Sequence, residues 1–236
     1  GQPGDYSWAY CELTAANLLD HLQNNASAGI VWEGYDSYYV IPNQSPTGNW
    51  SFWGLFAIDD TNAAVKTYTP RKNFYTVSQI SKWVRPGAQR IAVTGSTGVF
   101  SPLLAFSHTA RGQVTIVGIN TSTNSAALTG SLASLPAVTN LELYYTSATT
   151  NLADGGSTPV NQGRFSTVIP ADCVFTLTGF TSTGLFSCSS VAETNSGTTV
   201  DYYYTIITNP VARVQFEIQN PSTNLILISR CGSIPN

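Results

Sequence analysis

The first ninety residues hold two stretches with helical periodicity and, between them, a single short apolar run. That count constrains the fold more than any other feature. Residues 8–24, WAYCELTAANLLDHLQN, space Trp8, Cys11, Ala15, Leu18 and Leu22 by threes and fours, one stripe of an amphipathic helix. Asp5 or Ser7 supplies its N-cap, and the Asn24-Asn25 pair stops it. AGIVW, beginning at Ala28, reads as a short buried strand. A loop rich in Pro, Gly, Asn and Trp follows, from about 40 to 68. Thr69 then caps a second helix with Pro70 in its first turn, where a missing N–H costs nothing. Phe74, Val77, Ile80 and Val84 form its stripe, and Pro86-Gly87 ends it. This is an α/β rhythm. Yet two helices and one strand can neither close a barrel nor build a parallel sheet, which is normally covered on both faces. The lone strand therefore needs neighbours, either from the rest of the chain or from polypeptide preceding Gly1.

From Arg90 onward the pattern changes. RIAVT, QVTIVGIN, AALTGSL, TNLELYYT, GRFSTVI and CVFTLTG read as strands parted by Gly, Asn, Ser and Pro turns, with the spacing of an antiparallel β-sandwich. DYYYTIIT, ARVQFEIQ and NLILIS continue the style in the tail. The reading is thus mixed α/β followed by all-β: residues 1–89 as an α/β segment, 90–179 as a β-sandwich and 180–236 as a β-rich tail.

Charged residues make up only 10% of the 236, against roughly 25% in an average soluble protein. A net charge of -3 argues against a phosphate-neutralising nucleic-acid surface. No apolar run approaches the ~20 residues of a membrane-spanning helix. A surface built from Ser, Thr, Asn and Gln suits an extracellular protein. Four N-glycosylation acceptor sequences, at Asn25, Asn43, Asn49 and Asn120, agree with that compartment. The four cysteines, Cys11, Cys173, Cys188 and Cys231, form no CxxC pair, so neither a metal site nor a cofactor is expected. Of the possible pairings Cys188–Cys231 is favoured, with Cys11 a buried thiol. The chain has no methionine and no signal peptide, so it is expected to begin at a processing site or part-way through a larger protein.

WAYCELTAANLLDHLQNNASAGIVWEGYDSYY, WSFWGLFAID, YTPRKNFYTVSQISKWVRPGAQRI and IVGIN together resemble the C-terminal part of secreted retaining glycoside hydrolases of the (β/α)8-barrel clan. The resemblance is to glycoside hydrolase family 30 and its relatives, including fungal endo-β-1,6-galactanase-like enzymes, over about residues 1 to 179. It implies that residues 8–24 are the seventh barrel helix, 28–33 the eighth strand and 70–84 the eighth helix, with an Arg-Pro-Gly exit into the β-sandwich. The tail from 180 matches nothing in that family. Substrate sites in such barrels lie at the C-terminal strand ends. The rings and carboxylates that follow AGIVW would then face a polysaccharide or oligosaccharide. Retaining enzymes use two carboxyl groups ~5–5.5 Å apart. The resemblance puts them on strands four and seven, ahead of this chain. No residue here is expected to be catalytic, and the missing part of the barrel becomes an expected partner.

Within that frame Trp32 is a candidate floor for a pyranose ring, or a core residue at a strand end. Glu33 and Asp36 can hydrogen-bond sugar hydroxyls, or be surface carboxylates. Tyr35, Trp50 and Trp53 are further sugar-contact candidates, or packing residues beneath the long loop. Glu12 falls off the core stripe and reads as solvated. His21 and His108 are isolated, and no nucleophile elbow is present. A non-catalytic carbohydrate-binding module or a structural extracellular β protein stays open as the alternative.

Overall fold

A computed structural model describes residues 7–37, 54–59, 67–132, 135 and 137–181. The chain divides into two compact units, Gly1–Thr181 and Ser182–Asn236, and only the first contains described residues. Trp50, Trp53, Asn43, Asn49 and the Cys188–Cys231 pairing lie outside them.

Helix α1 spans Trp8–Gln23. Ser7 caps it, its hydroxyl accepting from the Tyr10 N–H at 3.4 Å. The predicted stop is a Schellman motif: Asn25 is left-handed at φ 68, its N–H donates to Leu22 O, and Ala26 N–H donates to His21 O. Cys11, Ala15 and Leu19 are buried, while Leu13 on the other side is 57% exposed.

The expected buried strand at 28–33 is not formed. Ile30 is 95% exposed and Trp32 72%, and the chain becomes a strand only at β1, Tyr35–Ser37. The strand begins where the backbone first finds a partner. Leu55 and Phe56 N–H groups donate to Glu33 and Gly34 carbonyls, and β1 then runs parallel to β2, Phe56–Asp59. β3, Thr67–Pro70, pairs antiparallel with β2 to complete a three-stranded sheet. Thr69 and Pro70 are therefore strand residues, not the cap and first turn of the second helix. Pro70 stands at the strand's end, where its absent N–H is tolerated. Helix α2 starts two residues later, Lys72–Ser81. It buries Val77 and Ile80 from the predicted stripe, and the chain turns at Gly87, φ 95.

The β region is a six-stranded antiparallel sheet plus a separate two-stranded ribbon. In chain order the strands are β4 Gln89–Ile91, β5 Phe100–His108, β6 Gln113–Asn120, β7 Ala126–Ser131, β8 Asn140–Ser147, β9 Ala153–Pro159, β10 Arg164–Ile169 and β11 Cys173–Phe180. The sheet order is β4-β5-β6-β11-β8-β9, and β7 pairs with β10 to form the ribbon. β5 and β9 were not among the predicted strands. β5 carries Pro102 and a register shift between Phe100 and Leu103, and β9 is mostly exposed and reads ADGGSTP.

Central strands β6 and β11 are buried on both faces. Val114, Ile116, Phe175 and Leu177 pack with Leu128, Phe165 and Ile169 of the ribbon. Val117, Ile119 and Val174 face the helices, against Ala15, Leu19 and Ile80. Gly118 permits this packing, since a Cβ there would run into Leu103 and Phe175. The 89/90 boundary thus falls inside β4, and the core packed between helices and sheet spans it.

Polar contacts fix α2 on the sheet. The buried Gln79 amide is bracketed by the hydroxyls of Thr146 (3.0 Å) and Thr176 (2.9 Å). Lys72 Nζ donates to the carbonyls of Ser147 (3.0 Å) and Thr150 (3.1 Å) beyond β8. Trp83 stacks on Tyr144 with centroids 4.6 Å apart. Truncating Leu19 to Ala opens a cavity between α1 and the sheet and is expected to cost about 2–4 kcal/mol in denaturant unfolding. Leu13→Ala, on the exposed side, should change stability by less than about 0.5 kcal/mol. Equal effects would refute the helix orientation.

Candidate functional site

The candidate site is built where the chain leaves α1. After the Schellman turn it runs back along the helix, and Gly29, Ile30, Val31 and Trp32 form one wall of an open groove. Tyr10, Leu13, Asn17 and Leu18 of α1 form the other. The approach is close at Gly29, where an added Cβ would meet the Leu18 side-chain tip and oblige it to shift.

Trp32 ends this wall, and its exposure removes its reading as a core residue. The peptide joining it to Glu33 is cis. Glu33 is half-buried, with its carbonyl accepting from Leu55 N–H at 2.9 Å. Tyr35 is 60% exposed and sits in register with Phe56, whose ring meets Phe74 of α2 at 4.6 Å. Asp36 is in register with Ala57.

Sequence reasoning missed Tyr68, 62% exposed on β3. Its signal is the alternation in TYTP, hidden because Tyr68 falls at the end of the expected loop and Thr69-Pro70 read as a helix start. Tyr68 pairs with Ile58, two positions along β2 from Phe56, so Tyr35 and Tyr68 belong to the same face of this small sheet. Arg71 was also missed: it follows β3, is buried, and its N–H donates to Leu55 O at 2.9 Å. The site thus offers exposed rings, a half-buried carboxylate and a groove. Among the described residues no His, Cys, Asp and Glu cluster suits a metal ion. No helix among the described residues is long and apolar enough to cross a membrane.

One interacting carboxylate pair lies elsewhere. Glu12 is half-buried on the side of α1 that meets the sheet, facing Asp172 just before β11. The solvated reading of Glu12 is corrected on this point. Desolvation, and then the charge of Asp172, push its carboxyl above the ordinary range. Trp8 Nε1 donates to Asp172 Oδ1 at 2.7 Å. The adjacent Cys173 thiol is pushed up to about 12 by burial and by the charges of Asp172 and Glu12. Cys11 and Cys173 are both buried thiols. The Trp8–Asp172 hydrogen bond braces this helix–sheet junction.

Asn120 is corrected as a glycosylation candidate. It is fully buried, and its Nδ2 donates to the carbonyls of Pro170 (2.7 Å) and Asn124 (3.2 Å).

The sequence matches no family profile and no curated protein. Solved structures do match. A family 30 endoxylanase from Clostridium papyrosolvens is 21% identical with a TM-score of 0.55, over 75% of this chain and 39% of that one. A family 30 subfamily 8 xylanase from Clostridium acetobutylicum is 22% identical with a TM-score of 0.56, over 75% and 40%. The catalytic domain of a family 30 xylanase from Talaromyces cellulolyticus is 24% identical with a TM-score of 0.53, over 72% and 35%. These likenesses establish a fold like that of glycoside hydrolase family 30. The chain spans about two fifths of the length of the structures it matches.

Two measurements test the carboxylate junction. A raised Glu12 pKa in the folded state means the fold loses stability as pH rises from the ordinary carboxylate range through the raised value. Glu12→Gln should flatten that part of the pH–stability profile, and parallel profiles would refute the coupling. Site-resolved alkylation at pH 8 should leave Cys173 unmodified in native protein and label it readily in denaturant; fast native labelling would contradict its burial.

Proposed function

We propose that this chain is the closing unit of a (β/α)8 barrel with its attached β-sandwich, from a secreted retaining glycoside hydrolase that acts on a β-linked polysaccharide. The fold match across three quarters of the chain carries the reading. It gains support from the rings that stand at the barrel's sugar-facing end when β1 is taken as its eighth strand.

Trp32 and Tyr35 then act by stacking. The electron-rich face of an aromatic ring attracts the C–H groups on the apolar face of a pyranose, and the flat contact expels water. Glu33 accepts hydrogen bonds from sugar hydroxyls. Cleavage itself requires a nucleophilic carboxylate and an acid/base carboxyl on opposite sides of the glycosidic bond. Other strands of the barrel supply both, so this chain's part is to bind and orient the sugar. Two substrates are in view: β-1,6-galactan, implied by the sequence resemblance, and xylan, after the names of the matching structures.

Affinity electrophoresis in gels containing β-1,6-galactan or xylan, run beside a reducing-sugar assay, tests this. The expected result is retardation without turnover, with Trp32→Ala weakening retardation about tenfold, the ~1.4 kcal/mol of one lost stacking contact. Folded protein that is not retarded by either polymer would sink the sugar surface. Turnover by the 236-residue chain would overturn the assignment of the carboxylates to other strands.

A further inference from the structure

The acceptor sequences at Asn25 and Asn120 differ in what the fold does with their side-chain nitrogen, and the geometry points to Asn25 as a site of N-linked glycosylation. The modification replaces one hydrogen of the amide with a sugar, so Nδ2 must be exposed and uncommitted. At Asn120 both hydrogens are spent inside the protein. At Asn25 the division is reversed. Its Oδ1 accepts from Arg90 Nη2 at 2.8 Å, while Nδ2 has no partner among the described residues. Asn25 and Ser27, the hydroxyl residue of the acceptor sequence, are both exposed.

The backbone agrees. Asn25 holds the left-handed position of the Schellman turn, a place Asn tolerates well. A sugar on Nδ2 leaves the carbonyl oxygen intact, so the Arg90 contact and the link from α1 to β4 survive modification. The chain folds back along α1 after Asn25, which sets the glycan toward the opposite end of that helix from β1.

In the transfer, Asn25 Nδ2 attacks the anomeric carbon of an oligosaccharide carried on a polyprenyl diphosphate. A C–N bond forms as the anomeric C–O bond breaks, the amide loses a proton, and the lipid diphosphate departs. The host's secretory transferase supplies the donor and catalyst, so the inference rests on the proposed function only in requiring export.

The test is expression of the full chain behind a secretory signal in a eukaryotic host, with a reporter acceptor sequence in a C-terminal tag. Peptide-N-glycosidase digestion in heavy-oxygen water then marks each occupied Asn as labelled Asp. The Asn25 peptide should be labelled, Asn25→Gln should lose the mass of one glycan, and the Asn120 peptide of folded secreted protein should be unlabelled. A filled reporter beside an unmodified Asn25 would overturn the inference, as would an occupied Asn120 in folded protein. If the chain is retained in the cell, occupancy of Asn25 against the reporter is read from the microsomal fraction in the same way. Occupancy is read by mass alone, so failure here leaves the sugar-binding reading standing, and the reverse.

Discussion

β6 and β11 have no solvent side, and the architecture follows from how their two faces are covered. One face is closed by the ribbon of β7 and β10, through Leu128, Phe165 and Ile169. The other is closed by α1 and α2, through Ala15, Leu19 and Ile80. The ribbon face is almost wholly apolar. The helix face is mixed: Thr115, Thr178 and Gln113 are buried there and linked by side-chain hydrogen bonds, Gln113 Nε2 also donates to Trp83 O just past α2, and Thr176 bonds Gln79 of α2. Buried polar groups are costly unless satisfied, so these contacts specify where on the sheet α2 must sit. Lys72 reinforces that choice at one end of α2 and the Trp83–Tyr144 stack at the other.

The candidate site inherits its position from this arrangement. α1 is shared property: Cys11, Ala15 and Leu19 face inward, while Tyr10, Leu13 and Asn17 line the groove beside Trp32. β1 is held from the other side by β2 and β3, and β2 reaches α2 through Phe56 and Phe74. Both routes end on the same sheet.

Much of this was legible in the sequence. Helix α1, its Ser7 cap, its Asn24-Asn25 stop and strands β6, β10 and β11 carry strong local signals, because period, capping and burial all agree there. The errors came where local chemistry was ambiguous. AGIVW is apolar enough for a buried strand, but burial depends on partners that composition does not reveal, and pairing begins only at Glu33. Thr69-Pro70 is a good helix start and also a tolerable strand end; pairing with β2 decided between them. β5 is broken by Pro102 and an irregular register, and β9 lacks the β-branched alternation that marks a strand. Glu12 lies outside the stripe of Trp8, Cys11 and Ala15, yet Asp172, just before β11, lies close enough to act on it. Asn120 shows the limit of a motif: the acceptor pattern is a property of three residues, while accessibility is a property of the fold.

The seating of α1 and α2 on one face of the six-stranded sheet has a mechanical consequence. Trp32 and Tyr35 are located by reference to that sheet, which serves them as a datum in the way a machined flat locates a tool. Substitutions that leave Val117, Ile119 and Val174 undisturbed can change the sequence that follows β1 without losing the alignment of the rings. A shift of the sheet face would displace every ring together.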